Sequence, residues 1–331
     1  MVKVYIPGPY NIPITRQFKT EELVWGNTQF VFDANEDYDC IAVVDGISVP
    51  IVTTSPKENR FFWTGEPPMV KRYTKSFLSQ FAHIFSCQKN LVANSHACIS
   101  NPPLPWMVGC SLKQGTHSSD GHDALNYQDF ILGSFDDEKR IDKACVLTSN
   151  KTITKGHRDR VKFVEKILKD KVEYIDIYGN GYKSVGDKLE VLSKYKYSIV
   201  IENCQYPNYW TEKLSDCILA GCCPIYYGAS NISDFFPINS FPVIDILNYQ
   251  EAIAKVDGLI KSDYFSTYHK NIGILKSLIL DKYNMFAMIN DAIAAAGINM
   301  GNKLQEPEIL HPMKYSILDR GLSRIHRMFN I

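Results

Sequence analysis

Short apolar, β-branched runs alternate with stretches of helical spacing through the second half of the chain. Ala144–Thr148 predicts a buried strand, followed by the polar loop SNKTITKG and a helix over 157–169. Val172–Tyr178 is the next strand, then the turn GNGYKSVGDK and a helix near 188–195. Tyr197–Ile201 predicts a further strand, Thr211 can cap a helix that Gly221 ends, and Cys222–Tyr227 and Phe241–Ile244 follow as strands. Strands alternating with helices argue for parallel βαβ units. In the first half, Val2–Ile6, Asp37–Asp45, Asn59–Gly65 and Ala82–Cys87 predict strands, with a helix near 71–81. Residues 101–129, from NPPLPWMVG to QGTHSSDGHD, read as an irregular loop. The pattern predicts an α/β protein of two domains with a cleft between them: an N-terminal α/β domain over 1–140 and a C-terminal α/β domain over 141–305. Residues 306–331 form a C-terminal segment. Within it Ile317, Leu318, Leu322, Ile325 and Phe329 have helical spacing, predicting a helix that packs back on the protein.

Composition narrows the function classes. Lysine plus arginine equals aspartate plus glutamate, 36 each, so no bulk attraction to nucleic acid or to a lipid surface is expected. No segment has the roughly 18 uninterrupted apolar residues of a membrane span, and the first residues carry Pro and Gly where a signal peptide needs its apolar core. The nine cysteines are scattered and odd in number, with Cys145, Cys222 and Cys223 inside apolar runs. They read as reduced core thiols of a cytoplasmic protein.

Three clusters carry candidate chemistry. The first follows the strand at 197–201: the polar, aromatic loop Glu202-Asn203-Cys204-Gln205-Tyr206-Pro207-Asn208-Tyr209-Trp210, then Thr211-Glu212-Lys213 at a helix start. At the carboxyl ends of parallel strands open α/β sheets bind ligands. A lysine in the first helical turn is misplaced for the helix dipole but well placed for a phosphate sharing the exposed N–H groups. Glu212 can accept from sugar hydroxyls, and the aromatic residues offer flat faces to a ring. The second cluster, Lys151 to Arg160 (KTITKGHRDR), puts Lys155, Arg158 and Arg160 with Lys151 and a histidine at another strand-to-helix junction. Such a set suits a diphosphate, with the Arg160 fork able to hold two oxygens. The third is Glu66 in NRFFWTGEPP, a carboxylate after a strand and a glycine turn, beside Phe62 and Trp63, positioned to serve as a general base. Asp37-Tyr38-Asp39 has a cation-binding spacing but leads straight into a strand, and His117, Asp120, His122 and Asp123 lie in a polar loop. No metal site is predicted.

Together these clusters resemble the α-1,3/α-1,4-fucosyltransferase family of inverting glycosyltransferases. IENCQYPNYWTEKLSDCILAGCCPIYYG is similar to its signature of a Glu-Asn pair, a spacer, Tyr-x-Thr-Glu-Lys, and Pro and Gly after the helix. FFWTGE resembles the stretch with its proposed base, and HRDRVKFV the helix with its donor-phosphate arginine. The resemblance implies two Rossmann-like domains facing a cleft, the GT-B type architecture, with acceptor contacts mostly in the N-terminal domain and nucleotide-sugar contacts mostly in the C-terminal one. It implies transfer of L-fucose from GDP-β-L-fucose to a glycan hydroxyl, with Glu66 as base. Arg160 and Lys213 would clamp the diphosphate, and Glu212, Tyr209, Asn203, Glu202, Arg158 and Lys155 would surround the donor. Trp63, where the family commonly has tyrosine, would stand on the acceptor side. No cofactor is required, a divalent cation being compatible as a stimulant. An oligosaccharide is the partner, with lipopolysaccharide or another surface glycan its destination by analogy, and peripheral membrane contact is compatible. A different nucleotide-sugar donor and a sugar-nucleotide-binding protein without turnover are the alternatives.

Overall fold

A computed structural model of the chain describes all residues except 9, 11, 94–96, 111–123, 134–138, 299 and 316–331. The helical spacing from Ile317 to Phe329 lies outside the described residues, as do His117, Asp120, His122 and Asp123. The chain forms two compact units, 1–105 with 282–331, and 106–281.

The first unit opens with strands β1 (Val2–Tyr5), β2 (Val24–Trp25), β3 (Thr28–Val31), β4 (Cys40–Val44), β5 (Ile51–Thr53) and β6 (Arg60–Trp63). Helix α1 (Lys75–Leu78), β7 (His83–Ser86), α2 (Lys89–Ala93) and β8 (Ala97–Ile99) follow. Seven strands make one sheet, ordered β2-β3-β1-β4-β6-β7-β8 and parallel except for the β2–β3 pair. Every residue of β6 is buried, and Phe62 packs with Ile41, Val43, Phe77 and Phe81 in the core. Continuous burial of this kind is what a parallel sheet covered on both faces requires. The helix expected over 71–81 shortens to one turn because its first residues are engaged elsewhere: Lys71 and Tyr73 bond Asp45, and the helix begins only after Thr74 caps Phe77 N at 3.4 Å.

The second unit contains α3 (Tyr127–Leu132), β9 (Ile141–Leu147), α4 (Lys155–Lys169), β10 (Ile175–Tyr178), α5 (Leu189–Leu192), β11 (Tyr195–Ile201), α6 (Glu212–Leu219) and β12 (Cys223–Tyr227). Helices α7 (Tyr249–Lys261), α8 (Tyr264–His269) and α9 (Ile272–Ser277) complete it. Its four strands run parallel in the order β10-β9-β11-β12. The chain moves from β9 outward to β10, then returns to place β11 on the other flank of β9. The crevice beyond the carboxyl ends of β9 and β11 is thus the topological switch point where such sheets bind ligands. Phe241–Ile244, expected as a strand, contributes only a bridge from Val243 to Tyr226.

Beyond residue 281 the chain rejoins the first unit. Helix α10 (Met285–Ala296) sets Phe286 against Phe18 and Phe30, at ring separations of 3.8 and 5.0 Å, and β13 (Glu308–Leu310) pairs antiparallel with β5. The two-unit α/β organisation expected from the pattern is present. The change of unit, however, falls at 105/106 instead of near 140, and residues 282–305 group with the first unit. Tertiary pairing decides that membership, and local composition carries no mark of it.

Candidate functional site

Two helix starts of the second unit meet at the switch point, and each is capped by a threonine. Thr154 accepts His157 N at 3.2 Å and Thr211 accepts Lys213 N at 3.4 Å. Gly156 lets α4 lie against the loop after β11, since a Cβ there would fall 2.1 Å from the carbonyl oxygen of Asn203. On the other side, Gly179 adopts φ +115° and passes so close to Thr148 that a Cβ would meet its carbonyl oxygen at 1.9 Å. Both positions exclude larger residues by close approach.

At the start of α4, Arg160 is 3% exposed and has neutral partners. Its Nη1 donates to Asn203 Oδ1 at 3.0 Å and its Nη2 to Ser149 Oγ at 3.2 Å, while Nε is buried with no partner. Burial pulls the guanidinium's pKa below its ordinary value, against the opposing pull of Glu202. His157 lies one turn earlier, its Nδ1 2.6 Å from Thr154 Oγ1. Burial, reinforced by Arg160, Lys213, Lys151 and Arg158, lowers its pKa to about 4. A buried cation without a counter-ion, beside an imidazole held neutral by its cationic surroundings, is an arrangement that an anion completes. Lys155 and Arg158 stand further out: Lys155 pairs with Asp159 at 2.6 Å on the helix surface, and Arg158 reaches Thr152 O at 3.4 Å.

The start of α6 is charge-balanced. Glu202, fully buried, accepts Thr211 N and Thr211 Oγ1, each at 2.8 Å, and Lys213 Nζ at 3.2 Å. Its carboxylate is thus committed to holding Lys213 in place. Glu212 lies 3.6 Å from Lys213 and 3.9 Å from Lys188. Although burial acts to raise its pKa, the two lysines and nearby hydrogen bonds bring it down to about 2. Lys188 also meets the buried Asp216 at 2.6 Å, and Asp216 accepts Met107 N and Val108 N at 2.7 and 3.0 Å. Tyr209 and Trp210 are 1% and 3% exposed, with Trp210 against Phe236. Tyr209 supports the site through Asn203 Nδ2, 3.4 Å from its hydroxyl. Of the loop's flat faces, Tyr206 is the one left half-exposed.

Glu66 belongs to the first unit, following β6 at the carboxyl edge of that sheet. Its backbone is fixed from several directions. The Tyr73 hydroxyl accepts Gly65 N at 3.0 Å and Glu66 N at 3.3 Å, and donates to Asp45 Oδ1 at 2.5 Å. Lys71 donates to Asp45 Oδ2 at 2.9 Å, and Gln88 Nε2 donates to Glu66 O at 2.8 Å. Asp45 sits at φ +63°, where β4 ends beside β6. Burial, with Asp45, holds the Tyr73 hydroxyl protonated well above its ordinary range. Trp63 is not a surface residue: it is 1% exposed and stacked on Phe85 at 4.7 Å, so its ring serves the core. Asp37 and Asp39 of the Asp-x-Asp run are taken up internally, by Lys303 at 2.9 Å and by Gly301 N at 3.0 Å. Among the described residues no group of three or more His, Cys, Asp or Glu side chains is placed to hold a metal ion.

Of the residues singled out from the sequence, the structure brings Arg160, Asn203, Glu202, Glu212 and Lys213 together at the two helix starts. Sequence reasoning counted His157 only as one member of the basic cluster, and it passed over Lys188, Asp216, Tyr73 and Asp45. For His157 a signal was available, since it lies in phase with Arg160, Val161, Val164 and Ile167 on the buried stripe of α4.

Residues 137–270 match glycosyltransferase family 10 (fucosyltransferase), C-terminal region. An α-(1,3)-fucosyltransferase of Helicobacter pylori is 36% identical over 94 residues, 28% of this chain and 20% of that protein. An α-(1,4)-fucosyltransferase of Arabidopsis thaliana is 48% identical over 54 residues, 16% and 13% of the two chains. The matched stretch is about a fifth of the length of the first relatives. A crystal structure of an α1,3-fucosyltransferase with GDP-fucose aligns over 92% of this chain and 93% of its own, with 18% identity and a TM-score of 0.47. Among the described residues no helix is long and apolar enough to cross a membrane.

Proposed function

Because residues 137–270 belong to glycosyltransferase family 10, we propose that the whole chain is an inverting fucosyltransferase of GT-B type, moving L-fucose from GDP-β-L-fucose to a hydroxyl of an acceptor glycan. The observation that carries this reading is the buried, uncompensated guanidinium of Arg160 at the switch point, opposite the lysine of a Glu-Lys helix start. In the proposed reaction Glu66 takes the proton of the acceptor hydroxyl as its oxygen attacks the anomeric carbon. The bond to the departing diphosphate oxygen breaks, and Arg160 and Lys213 stabilise the charge that builds there. Inversion follows from a single displacement and yields an α-linked fucoside. Glu202 acts indirectly by orienting Lys213 and Thr211, and Tyr73 and Asp45 hold the backbone that presents Glu66. The nine free cysteines, eight of them buried, fit a reducing compartment such as the cytoplasm.

The test is turnover of GDP-fucose by the full chain, read as GDP release with and without a panel of oligosaccharides that includes lipopolysaccharide. Release that depends on one glycan, with an α-anomeric product, is expected. Glycan-dependent turnover of another nucleotide sugar in preference would overturn the donor assignment. Glu66→Gln is expected to lower transfer by about 10²–10⁴-fold while GDP affinity stays within twofold, and a near wild-type rate removes Glu66 from the mechanism.

A further inference from the structure

His157 is buried at 6% exposure on the stripe of α4 that continues with Arg160, yet the clamp as described gives it no task. Thr154 Oγ1 already accepts the backbone N–H of His157, so the hydroxyl hydrogen is available to Nδ1, 2.6 Å away. The proton of the neutral ring then sits on Nε2. Nε2 has no hydrogen-bond partner among the described residues. One turn further along, Arg160 Nε is buried and unpartnered. The charged groups around the ring are Arg158 and Arg160 of α4, Lys151 of the loop after β9, and Lys213 of α6. The carboxylate that acts on Arg160, Glu202, is held by Lys213 and Thr211, and Tyr182 and Tyr209 also act on Arg160. An Nε2 donor without a partner among the described residues, a buried unsatisfied guanidinium N–H and an excess of cations are therefore carried on one stripe of α4, close to where its exposed N–H groups begin.

We propose that His157 is a third arm of the diphosphate site, donating from Nε2 to a phosphate oxygen, and that it takes up a proton from solvent as the nucleotide binds. This rests on the nucleotide-sugar reading above. In the free protein burial and four cations keep the ring neutral, with a pKa of about 4. A bound diphosphate cancels those cations and stabilises imidazolium. The incoming proton goes to Nδ1, where the Thr154 hydroxyl turns from donor to acceptor. By linkage, nucleotide binds more tightly as pH falls from the pKa of the complex towards that of the free protein. His157 thereby makes donor capture pH-sensitive in a way that the guanidinium of Arg160 cannot.

Calorimetric titration of the full chain with GDP at pH 6.5, in buffers of different ionisation enthalpy, reads the proton count. Wild type is expected to take up a large fraction of one proton more per GDP than His157→Gln. Protons released by GDP itself are common to both proteins and cancel. The loss of affinity in His157→Gln is expected to grow by about tenfold between pH 8 and pH 6, the effect of one pKa unit. Equal proton counts in the two proteins would overturn the proposal. Should the variant not fold, the imidazole C–H resonance of wild-type His157 gives the same answer, by moving or not moving to its imidazolium position when GDP is added at pH 6.5. Pyrophosphate titrated in parallel separates the two readings. His157-dependent uptake with pyrophosphate but no GDP binding keeps the anion site and removes the nucleotide. GDP binding without His157-dependent uptake does the reverse. No binding of either ligand removes both.

Discussion

The starts of α4 and α6 are built from the same parts and left in opposite electrostatic states. Both follow the carboxyl end of a parallel strand, both are capped by threonine, and both carry cations in or near their first turn. At α6 every buried charge has an opposite one within reach: Glu202 with Lys213, Asp216 with Lys188, Glu212 with both lysines. At α4 Arg160 has only an amide and a serine to bond, and His157 is held neutral. A charge whose partner lies within the fold contributes to holding the fold. A charge whose partner is missing raises the energy of the empty site and is stabilised when ligand arrives.

The largest expected effect is on the balanced side. Glu202→Ala strands Lys213 and the Thr211 N–H, and is expected to reduce unfolding free energy by about 3–5 kcal/mol in denaturant titrations. A loss under 1 kcal/mol would erase the distinction between the two helix starts. Acid titration of stability separates them by pH window. His157 has its pKa lowered on folding, so the unfolded chain binds the proton first and stability falls as pH drops from about 6.5 towards about 4, by about 3 kcal/mol. Glu212 is likewise lowered, so its contribution of about 3 kcal/mol is complete above about pH 4.3 and disappears as pH falls towards about 2. His157→Gln should flatten the upper window and leave the lower, and Glu212→Gln the converse. Arg160→Ala is expected to weaken GDP by about 100-fold, or about 2.7 kcal/mol, while apo stability stays level or rises. A destabilised apo variant with unchanged GDP affinity would make Arg160 a structural residue. The smallest effect is the Thr154→Ala cap, about 1 kcal/mol of stability.

How much of this was legible in the chain follows from which interactions are local. β9, α4, β11, α6 and β12 were readable because each has a single-period apolar pattern ended by a cap or glycine. β2, β5 and β8 have two or three residues each, too short to show a period, and exist through their partners. Arg160 and Lys213 were legible as cations at strand-to-helix junctions, but the sequence does not reveal that one is paired with a buried carboxylate and the other is not. Trp63 illustrates the opposite failure. An aromatic residue two positions before a glycine turn reads as reachable, and the alternation of β6 instead stacks it on Phe85. Tyr73 could not be found from spacing, since it touches Asp45 only after the intervening strands align.

The return of the chain from the second unit to the first has a consequence for synthesis. Residues 106–281 emerge from the ribosome as one uninterrupted piece and can begin to fold once made, whereas the first unit is discontinuous in sequence. While the inserted 176 residues are being translated (106–281), β5 lacks its partner β13 and the ring of Phe18 lacks Phe286. The order in which the two units are completed is therefore the reverse of the order in which they are begun. The part translated first is the last to be completed, and for that interval its apolar surface is the segment most in need of a chaperone.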